Sequence, residues 1–212
     1  MHHREAKPTV RVLHTAPEAR MLDVYIDDVL VIGSIAYGQI TGYGEVGRGD
    51  HRLTIVPAGS GMDARERFDA DIDDLEASIS TLAVTEARHG VGATLLDDTT
   101  DAPTPAHAKV RVLHTSPDLH ELEVTLRNGR LFSTRVKFGE ATPFAEVPAG
   151  IVDLELRSRG GSQPERVFPR YTLVPGNIYT LVVIGLSRDV PRLAIMPLIE
   201  EARVRVPVGA PV

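Results

Sequence analysis

Two histidines in matched surroundings are the first residues to test for chemistry. His14 and His114 each lie in a Val-Arg-Val-Leu-His-Thr segment, and Ser116 follows the second histidine by two residues. A histidine beside a serine can activate the hydroxyl as a nucleophile, as in hydrolases. Ala16 occupies the serine position in the first copy, so we interpret Ser116 as a turn residue whose hydroxyl caps a backbone group. We expect both histidines to be structural; a metal ligand or general base is the alternative.

Three alternating aspartates form a second candidate site. Asp69, Asp71 and Asp73 have the spacing that opens a calcium-binding loop. An EF-hand requires glycine and glutamate at two later positions, where this chain has Asp74 and Ser80. We therefore interpret this acidic run as a solvated turn, and calcium binding is the alternative.

The remaining candidates for chemistry are less specific. Asp23 and Glu123 are matched acids, but acid–base catalysis needs a second acid across the sheet, so we expect a solvated face. The pair His2 and His3 can hold a transition metal only weakly, as any terminal histidine pair can. The chain has no cysteine, Gly-x-Ser-x-Gly, phosphate-binding loop, His-Glu-x-x-His or dinucleotide fingerprint. We predict no catalytic, cofactor-binding or metal-binding residues.

These candidates lie within an internal duplication. Val-Arg-Val-Leu-His-Thr-Ala-Pro at residues 10–17 recurs as Val-Arg-Val-Leu-His-Thr-Ser-Pro at residues 110–117, and the match continues through the following strands with one inserted residue. Self-similarity at so long a period indicates two whole domains rather than a solenoid. The turn that ends each opening strand is the signature of the repeat. It comprises His14, Thr15 and Pro17 in the first copy and His114, Thr115 and Pro117 in the second.

Five short motifs follow one another in a fixed order. They are the opening segment at 10–17, Asp-Val-Tyr-Ile-Asp-Asp at 23–28, Gly-Tyr at 42–43, Val-Pro-Ala-Gly at 147–150 and Tyr-Thr-Leu-Val-Val at 179–183. Together they resemble a known family, the domain of unknown function numbered 4397. The resemblance implies a β-sandwich with no assigned chemistry, in proteins that are often secreted or attached to the cell surface.

Alternation of apolar and polar residues predicts short strands separated by turns every 8 to 12 residues. The opening strand of each copy, with alternating valine and arginine, is predicted to be half-buried, and Asn128-Gly129 predicts a hairpin. We predict an all-β fold of two tandem immunoglobulin-like or transthyretin-like β-sandwiches of about seven strands each. The other predicted strands cover residues 22–26, 29–32, 40–46 and 51–56, and then 122–126, 131–134, 141–147, 152–156, 167–174, 178–186 and 192–199.

The turn signals and the duplication divide the chain into five segments. We predict an N-terminal arm at 1–9, the first sandwich at 10–98, a linker at 99–108, the second sandwich at 109–200 and a C-terminal tail strand at 201–212. At 212 residues the chain can form two domains with ordinary hydrophobic cores.

Charge is divided unevenly between the copies. Residues 1–105 carry 9 basic and 18 acidic side chains, for a net charge of −9, whereas residues 106–212 carry 14 and 11, for a net charge of +3. This asymmetry favours head-to-tail contacts between chains, with independent drift of the two surfaces as the alternative. No basic cluster is interleaved with aromatics and no apolar run reaches 18 residues, so we expect neither nucleic-acid binding nor membrane insertion.

The two ends of the chain bear on location and assembly. The N-terminus has no apolar signal-peptide region, which leaves a cytoplasmic location open beside the extracellular or cell-surface one that the resemblance implies. The tail at 203–208, Arg-Val-Arg-Val-Pro-Val, alternates like a strand although the preceding domain is complete. It either lies on its own sandwich or adds to a sheet edge of a neighbouring molecule. The candidate assembly residues are Arg203, Val204, Arg205, Val206 and Val208.

These observations predict a non-enzymatic structural or adhesive protein of the cell surface or an extracellular assembly. We expect its partners to be other copies of the chain, joined by strand addition through the termini into an oligomer or filament. One alternative is a module that binds a surface glycan or peptide, and another is a metal-dependent enzyme that uses the His-Thr-x-Pro histidines. Aromatic residues that could line a sugar site, but which we expect to pack in turns or core, are Tyr25, Tyr37, Tyr43, Phe138 and Phe144.

Overall fold

The computed structural model describes residues 7–75, 78–127, 132–158, 161 and 164–201. Within these residues the chain is all β, with sixteen strands in four sheets and no helix that could span a bilayer. It divides into two compact units, the first of residues up to Thr99 together with Asp189–Arg192 and the second of Thr100–Arg188 and the residues from Leu193 onward. The strands of each unit form two four-stranded sheets. The predicted tandem β-sandwich is confirmed, with eight strands in each unit instead of about seven.

The first unit pairs its opening strand with its seventh. One sheet has the order β4-β1-β7-β8 and the other β3-β2-β5-β6. Strands β1 and β7 are parallel, and every other pair is antiparallel. The strands are β1 (Thr9–His14), β2 (Leu22–Ile26), β3 (Val29–Ile35), β4 (Gly44–Glu45), β5 (Gly49–Pro57), β6 (Phe68–Leu75), β7 (Ile79–Ala87) and β8 (Gly90–Asp97).

The second unit repeats this topology strand for strand. Its sheets have the orders β12-β9-β15-β16 and β11-β10-β13-β14, and β9 and β15 are the parallel pair. The strands are β9 (His107–His114), β10 (Glu121–Arg127), β11 (Phe132–Lys137), β12 (Ala145–Pro148), β13 (Gly150–Ser158), β14 (Arg166–Leu173), β15 (Asn177–Ile184) and β16 (Ala194–Glu201).

Each unit has its own hydrophobic core, built from the inward-facing residues of its two sheets. Burial of this apolar surface is the main force that holds each sandwich together. The first core includes Val12, Val24, Ile55, Leu82 and Val84. Its counterpart in the second unit includes Val112, Val124, Leu156, Leu181 and Val183.

The opening strands are buried on both faces, so the predicted half-buried character is wrong. Strand β1 lies between β4 and β7, and Leu13 is fully buried beside Val12. Arg11 is also buried, at 9% exposure, as is Arg111 on β9. Arginine usually marks a solvent face, and its burial here depends on partners that are distant in sequence.

Three other sequence predictions need correction. The acidic run is not a turn but part of edge strand β6, in which Asp69 and Asp71 are exposed and Ile72 is buried. Strands β7 and β8 were not predicted. Most of 40–46 and 141–147 is not extended: only β4, β12 and two isolated bridges form there. The predicted Asn128-Gly129 hairpin turn lies outside the described residues.

Candidate functional site

The His14 side chain is enclosed in the turn that follows β1. Its Nε2 lies 3.1 Å from the carbonyl oxygen of Arg20, and its Nδ1 accepts the N–H of Ala16 at 3.3 Å. A carbonyl can only accept, so Nε2 must carry the proton and the ring is neutral. Burial lowers the pKa of His14, although the bond to Arg20 opposes this effect. The ring of Tyr37 meets the imidazole edge-on, with centroids 6.3 Å apart.

His114 repeats this arrangement in the second unit. Its Nε2 donates to the carbonyl of Leu119 at 2.9 Å, and its Nδ1 accepts the N–H of Ser116 at 3.3 Å. Burial lowers the pKa of His114 to about 4, against an ordinary value of 6.5. Phe138 provides the edge-on ring, at 6.0 Å. Because both ring nitrogens are bonded to the backbone and the side chain has no exposed surface, this geometry offers no free lone pair to a metal or substrate.

The threonine of each signature turn ties it to the neighbouring parallel strand. Thr15 donates both its N–H and its hydroxyl to the carbonyl of Val84, each at 2.8 Å. Thr115 makes the same two bonds to Val183, each at 2.9 Å. The His-Thr-x-Pro turn is thus a hydrogen-bonded junction between the first strand of a unit and its seventh.

The buried arginines form a second repeated arrangement. The Nε of Arg11 donates to Thr81 at 2.8 Å, and Arg111 makes the equivalent bond to Thr180 at 2.8 Å. Each guanidinium also stacks on an aromatic ring: Arg111 lies 4.4 Å from the centroid of Phe144. A cation over an aromatic face is stabilised by the ring quadrupole, most strongly where water is excluded. Tyr43 and Phe144 therefore pack beneath buried cations.

Asp23 is buried, so its predicted solvated position is wrong. Its two carboxylate oxygens accept the N–H groups of Ser34 at 2.8 Å and Gly59 at 2.9 Å. It thereby fixes a bulge in β3 and the loop after β5. Its counterpart Glu123 is partly exposed and lies 3.9 Å from Arg135. The matched acids have structural roles that differ between the units.

A cleft of about 870 Å³ opens in the first unit beside the signature turn. One wall is the segment immediately after Pro17, which includes Glu18 and Arg20. The end of β5, the loop that leads into β6 and the tight β7–β8 hairpin form the rest. His14 holds this first wall through its bond to Arg20, so the histidine positions the cleft without lining it.

The cleft combines an apolar floor with charged walls. Phe68 and Val91 line it together with Arg65, Glu66 and Glu86. The N–H of Glu18 donates to Glu86 Oε2 at 3.4 Å. Burial raises the pKa of Glu86. The hydrogen bond from the Glu18 N–H opposes this effect, and the negative charge of the Glu18 side chain adds to it. A single cationic group from a ligand would relieve this repulsion, whereas Arg20, Arg65 and Arg67 also line the cleft.

The corresponding region of the second unit has different residues and different hydrogen bonds. Thr15 bonds to Val84 and Thr115 bonds to Val183, so these two valines correspond. Two residues further along, the second unit therefore has Gly185 where the first unit has Glu86. Asp118, the counterpart of Glu18, accepts the N–H groups of Ser187 at 2.8 Å and Arg188 at 3.3 Å. The segment after β15 is therefore tied to the signature turn.

The remaining predicted sites are placed as follows. No group of three or more histidine, aspartate or glutamate side chains that could hold a metal occurs among the described residues. The candidate assembly residues of the tail, from Arg203 to Val208, lie outside the described part of the chain and stay a prediction. Sequence reasoning missed the cleft, since its walls come from three segments that are far apart in the chain.

Similarity to solved structures is loose. A candidate cell adhesion protein from Bacteroides ovatus ATCC 8483 aligns over 94% of this chain and 98% of its own, with 10% identity and a TM-score of 0.31. Another from Bacteroides uniformis ATCC 8492 aligns over 91% and 98%, with 8% identity and a TM-score of 0.29. A fimbrial assembly protein from Parabacteroides distasonis ATCC 8503 aligns over 93% of this chain and 96% of its own, with 10% identity and a TM-score of 0.21.

Sequence comparison is more specific. None of the curated proteins is significantly similar to this chain. The family model of a domain of unknown function, DUF4397, matches it twice, over residues 8–125 and 110–206. These two matches span the duplicated signature turns and both sandwiches, as the sequence motifs predict. The chain belongs to the DUF4397 family and carries two copies of its domain.

Proposed function

We propose that this chain is a non-catalytic structural or adhesive protein of the cell surface or an extracellular assembly, and that it self-associates by strand addition through its termini. The observation that carries the proposal is the use of the matched histidines. His14 and His114 are enclosed, neutral and bonded through both ring nitrogens to the backbone. The duplicated residues best suited to chemistry thus stabilise the fold, and we place the function of the protein on its surfaces.

Open sheet edges support an assembly role. Strand β3 ends its sheet, and Val29, Leu30 and Val31 on it are 44% to 62% exposed. Exposed apolar edge strands are templates for pairing with another chain, which proteins usually block with charge or proline. The opposite charges of residues 1–105 and 106–212 also favour head-to-tail contact between copies.

The test is the mass of the purified chain by light scattering after size exclusion, with negative-stain images of the same sample. We expect concentration-dependent oligomers or filaments. A chain that ends at residue 201 should be monomeric, with the unfolding curve of the full-length chain diluted below its assembly concentration. A full-length chain that stays monomeric at high concentration would contradict self-association. Antibody labelling of intact cells tests location, because a signal seen only after lysis contradicts a surface role.

The cleft supports a second candidate function, the binding of a basic peptide. Its electrostatics favour arginine or lysine side chains near Glu18 and Glu86. A short arginine-containing peptide should raise the melting temperature of the native chain, and Glu86→Gln should weaken its binding several-fold. Asp63→Asn, at an exposed position outside the cleft, is the matched control. Equal binding by both variants would remove this candidate.

A further inference from the structure

Strand β6 is an open edge with a regular two-sided pattern. It pairs with β5 on one side and ends the four-stranded sheet on the other. Asp69, Asp71 and Asp73 are exposed on its outer face, whereas Ala70 is half-buried and Ile72 is buried. An added strand would therefore meet carboxylates on one face and apolar side chains on the other.

The C-terminal segment has the complementary pattern. Arg203 and Arg205 alternate with Val204 and Val206, so a strand formed by these residues has one cationic and one apolar face. We propose that this segment of one copy adds antiparallel to strand β6 of a second copy, a proposal that rests on the self-association proposed above. The paired residues would be Arg203 with Asp73, Val204 with Ile72, Arg205 with Asp71, and Val206 with Ala70.

The ends of the paired stretch fit this register. The next pair would set Pro207 opposite Asp69, and proline cannot donate a ladder hydrogen bond. Asp69 needs no cation from the tail, since Arg67 Nε lies 2.6 Å from its carboxylate and Thr54 donates to it at 2.8 Å. At the other end Asp74 has a left-handed φ of 52° and gives its N–H to Asp50, so the straight part of the strand stops there.

Other edges suit a cationic strand less well. The counterpart of β6 in the second unit is β14, which carries Arg166, Arg170 and an interrupting Pro169. Edge strand β11 presents Arg135 and Lys137. Edge strand β3 has no acidic residue between Val29 and Ile35. Like charges on directly opposed strands are destabilising, so charge favours β6 over these three edges. Edge strands β4, β8 and β12 carry one acidic residue each, and β16 leads directly into the tail, so β6 is the edge with several alternating acids.

The contact is heterologous: it joins the end of the second domain of one chain to the first domain of the next. Such contacts generate rings where the rotation closes and filaments where it does not. Two exposed ion pairs give a modest, salt-dependent contribution, so the association should weaken as ionic strength rises.

Charge reversal in the full-length chain tests the edge. Asp71→Arg with Asp73→Arg should raise the concentration at which the oligomer dissociates by about tenfold or more. The matched control, Asp63→Arg with Asp101→Arg, makes the same change in net charge at exposed positions off the edge and should have less than about a twofold effect. Adding Arg203→Asp and Arg205→Asp to the edge variant should restore assembly.

Single cysteines test the register in a chain that has no others. Chains with Asp71→Cys, mixed with chains carrying Arg205→Cys, should form a covalent dimer on oxidation, whereas Arg203→Cys should not. Crosslinking only through Arg203→Cys would indicate a shifted antiparallel register or a parallel one, and either would overturn the stated pairing.

The outcomes separate this proposal from the one on which it rests. A full-length chain that never oligomerises, or an oligomer that survives loss of residues 202–212, refutes tail-mediated assembly itself. A second outcome is that assembly needs the tail while charge reversal at Asp71 and Asp73 changes the dissociation concentration no more than the control does. In that case tail-mediated assembly stands and only its assignment to β6 is wrong. Loss of assembly on Glu86→Lys in that case would place the tail in the cleft.

Discussion

The guanidinium carbon of Arg11 lies 4.5 Å from the centroid of the Tyr43 ring. The same cation and the same ring share a carboxylate: Asp98 Oδ2 is 3.7 Å from Arg11 Nη2 and accepts the Tyr43 hydroxyl at 2.9 Å. Thr81 donates to that oxygen as well, at 2.5 Å. Asp98 is only 8% exposed, so protein groups such as these, rather than water, compensate most of its negative charge.

Asp98→Ala should therefore destabilise the first unit by about 3–5 kcal/mol, the usual cost of leaving a buried charge without its partner. Urea unfolding followed by circular dichroism measures the loss. Asp63→Ala removes an exposed acid and should change the stability by less than about 0.5 kcal/mol. Equal effects of the two substitutions would show that the buried carboxylate contributes little.

His114 makes the stability of the second unit dependent on pH. Its pKa is about 4 in the folded state and near 6.5 when the chain unfolds. Between these values the unfolded state binds a proton that the folded state does not, so stability should fall as pH decreases from 6.5 to 4. The loss attributable to this side chain is on the order of 3 kcal/mol.

Replacing the imidazole isolates that contribution. His114→Gln should lower stability at neutral pH but make it depend less on pH between 6.5 and 4.5. Urea unfolding at several pH values checks this slope in the variant and the native chain. A variant with the native slope would assign the pH dependence to other groups.

His51 should act in the opposite direction. Its Nδ1 lies 2.6 Å from Asp27 Oδ2, and this bond raises the pKa of His51. The folded state holds the proton more tightly, so the stabilisation is full below pH 6.5 and is lost as pH rises through the raised pKa. His51→Gln should cost roughly 0.5–1 kcal/mol at pH 6 and less at pH 9.

A double-mutant cycle separates this pair from its surroundings. Asp27 has a left-handed φ of 49°, which asparagine tolerates, so Asp27→Asn keeps the backbone while removing the charge. In the Asp27→Asn background, His51→Gln should have little further effect. Additive losses would show that the two side chains are not coupled.

The separate cores predict that the two domains fold independently. Each unit buries its own cluster of apolar residues beneath two sheets. Fragments of residues 7–99 and 100–201 should each unfold cooperatively in urea, with an m value of about 1 kcal/mol per molar, typical for domains of this size. A fragment with no cooperative transition would show that its domain requires the other.

Residue pattern was sufficient to predict the tandem sandwich, but not the burial of β1. Alternation assigned Arg11 to a solvent face because arginine is rarely buried. Only the fold brings Tyr43 and Asp98, which are distant in sequence, against that side chain. Burial of a cation depends on such partners, and a local pattern contains no information about them.

Strands β6, β7 and β8 were not predicted, and β6 and β8 were missed for different reasons. The acidic run alternates Asp with Ala and Ile, which is a strand pattern, but its calcium-like spacing favoured a turn. Strand β8 begins Gly-Val-Gly-Ala, a composition with weak strand preference, and it is held by eight pairings with β7. The cleft could not be predicted, since it depends on how tight the β7–β8 hairpin is beside the loop after β5.

The parallel pairing of first and seventh strands also constrains how quickly this protein reaches its native state. The bond from Arg11 to Thr81 spans 70 residues, and that from Arg111 to Thr180 spans 69. Topologies dominated by such long-range contacts fold in milliseconds to seconds, because loop-closure entropy is lost before the contacts form. During synthesis β1 can pair only with the short strand β4 until β7 leaves the ribosome, and β9 can pair only with β12 until β15 does.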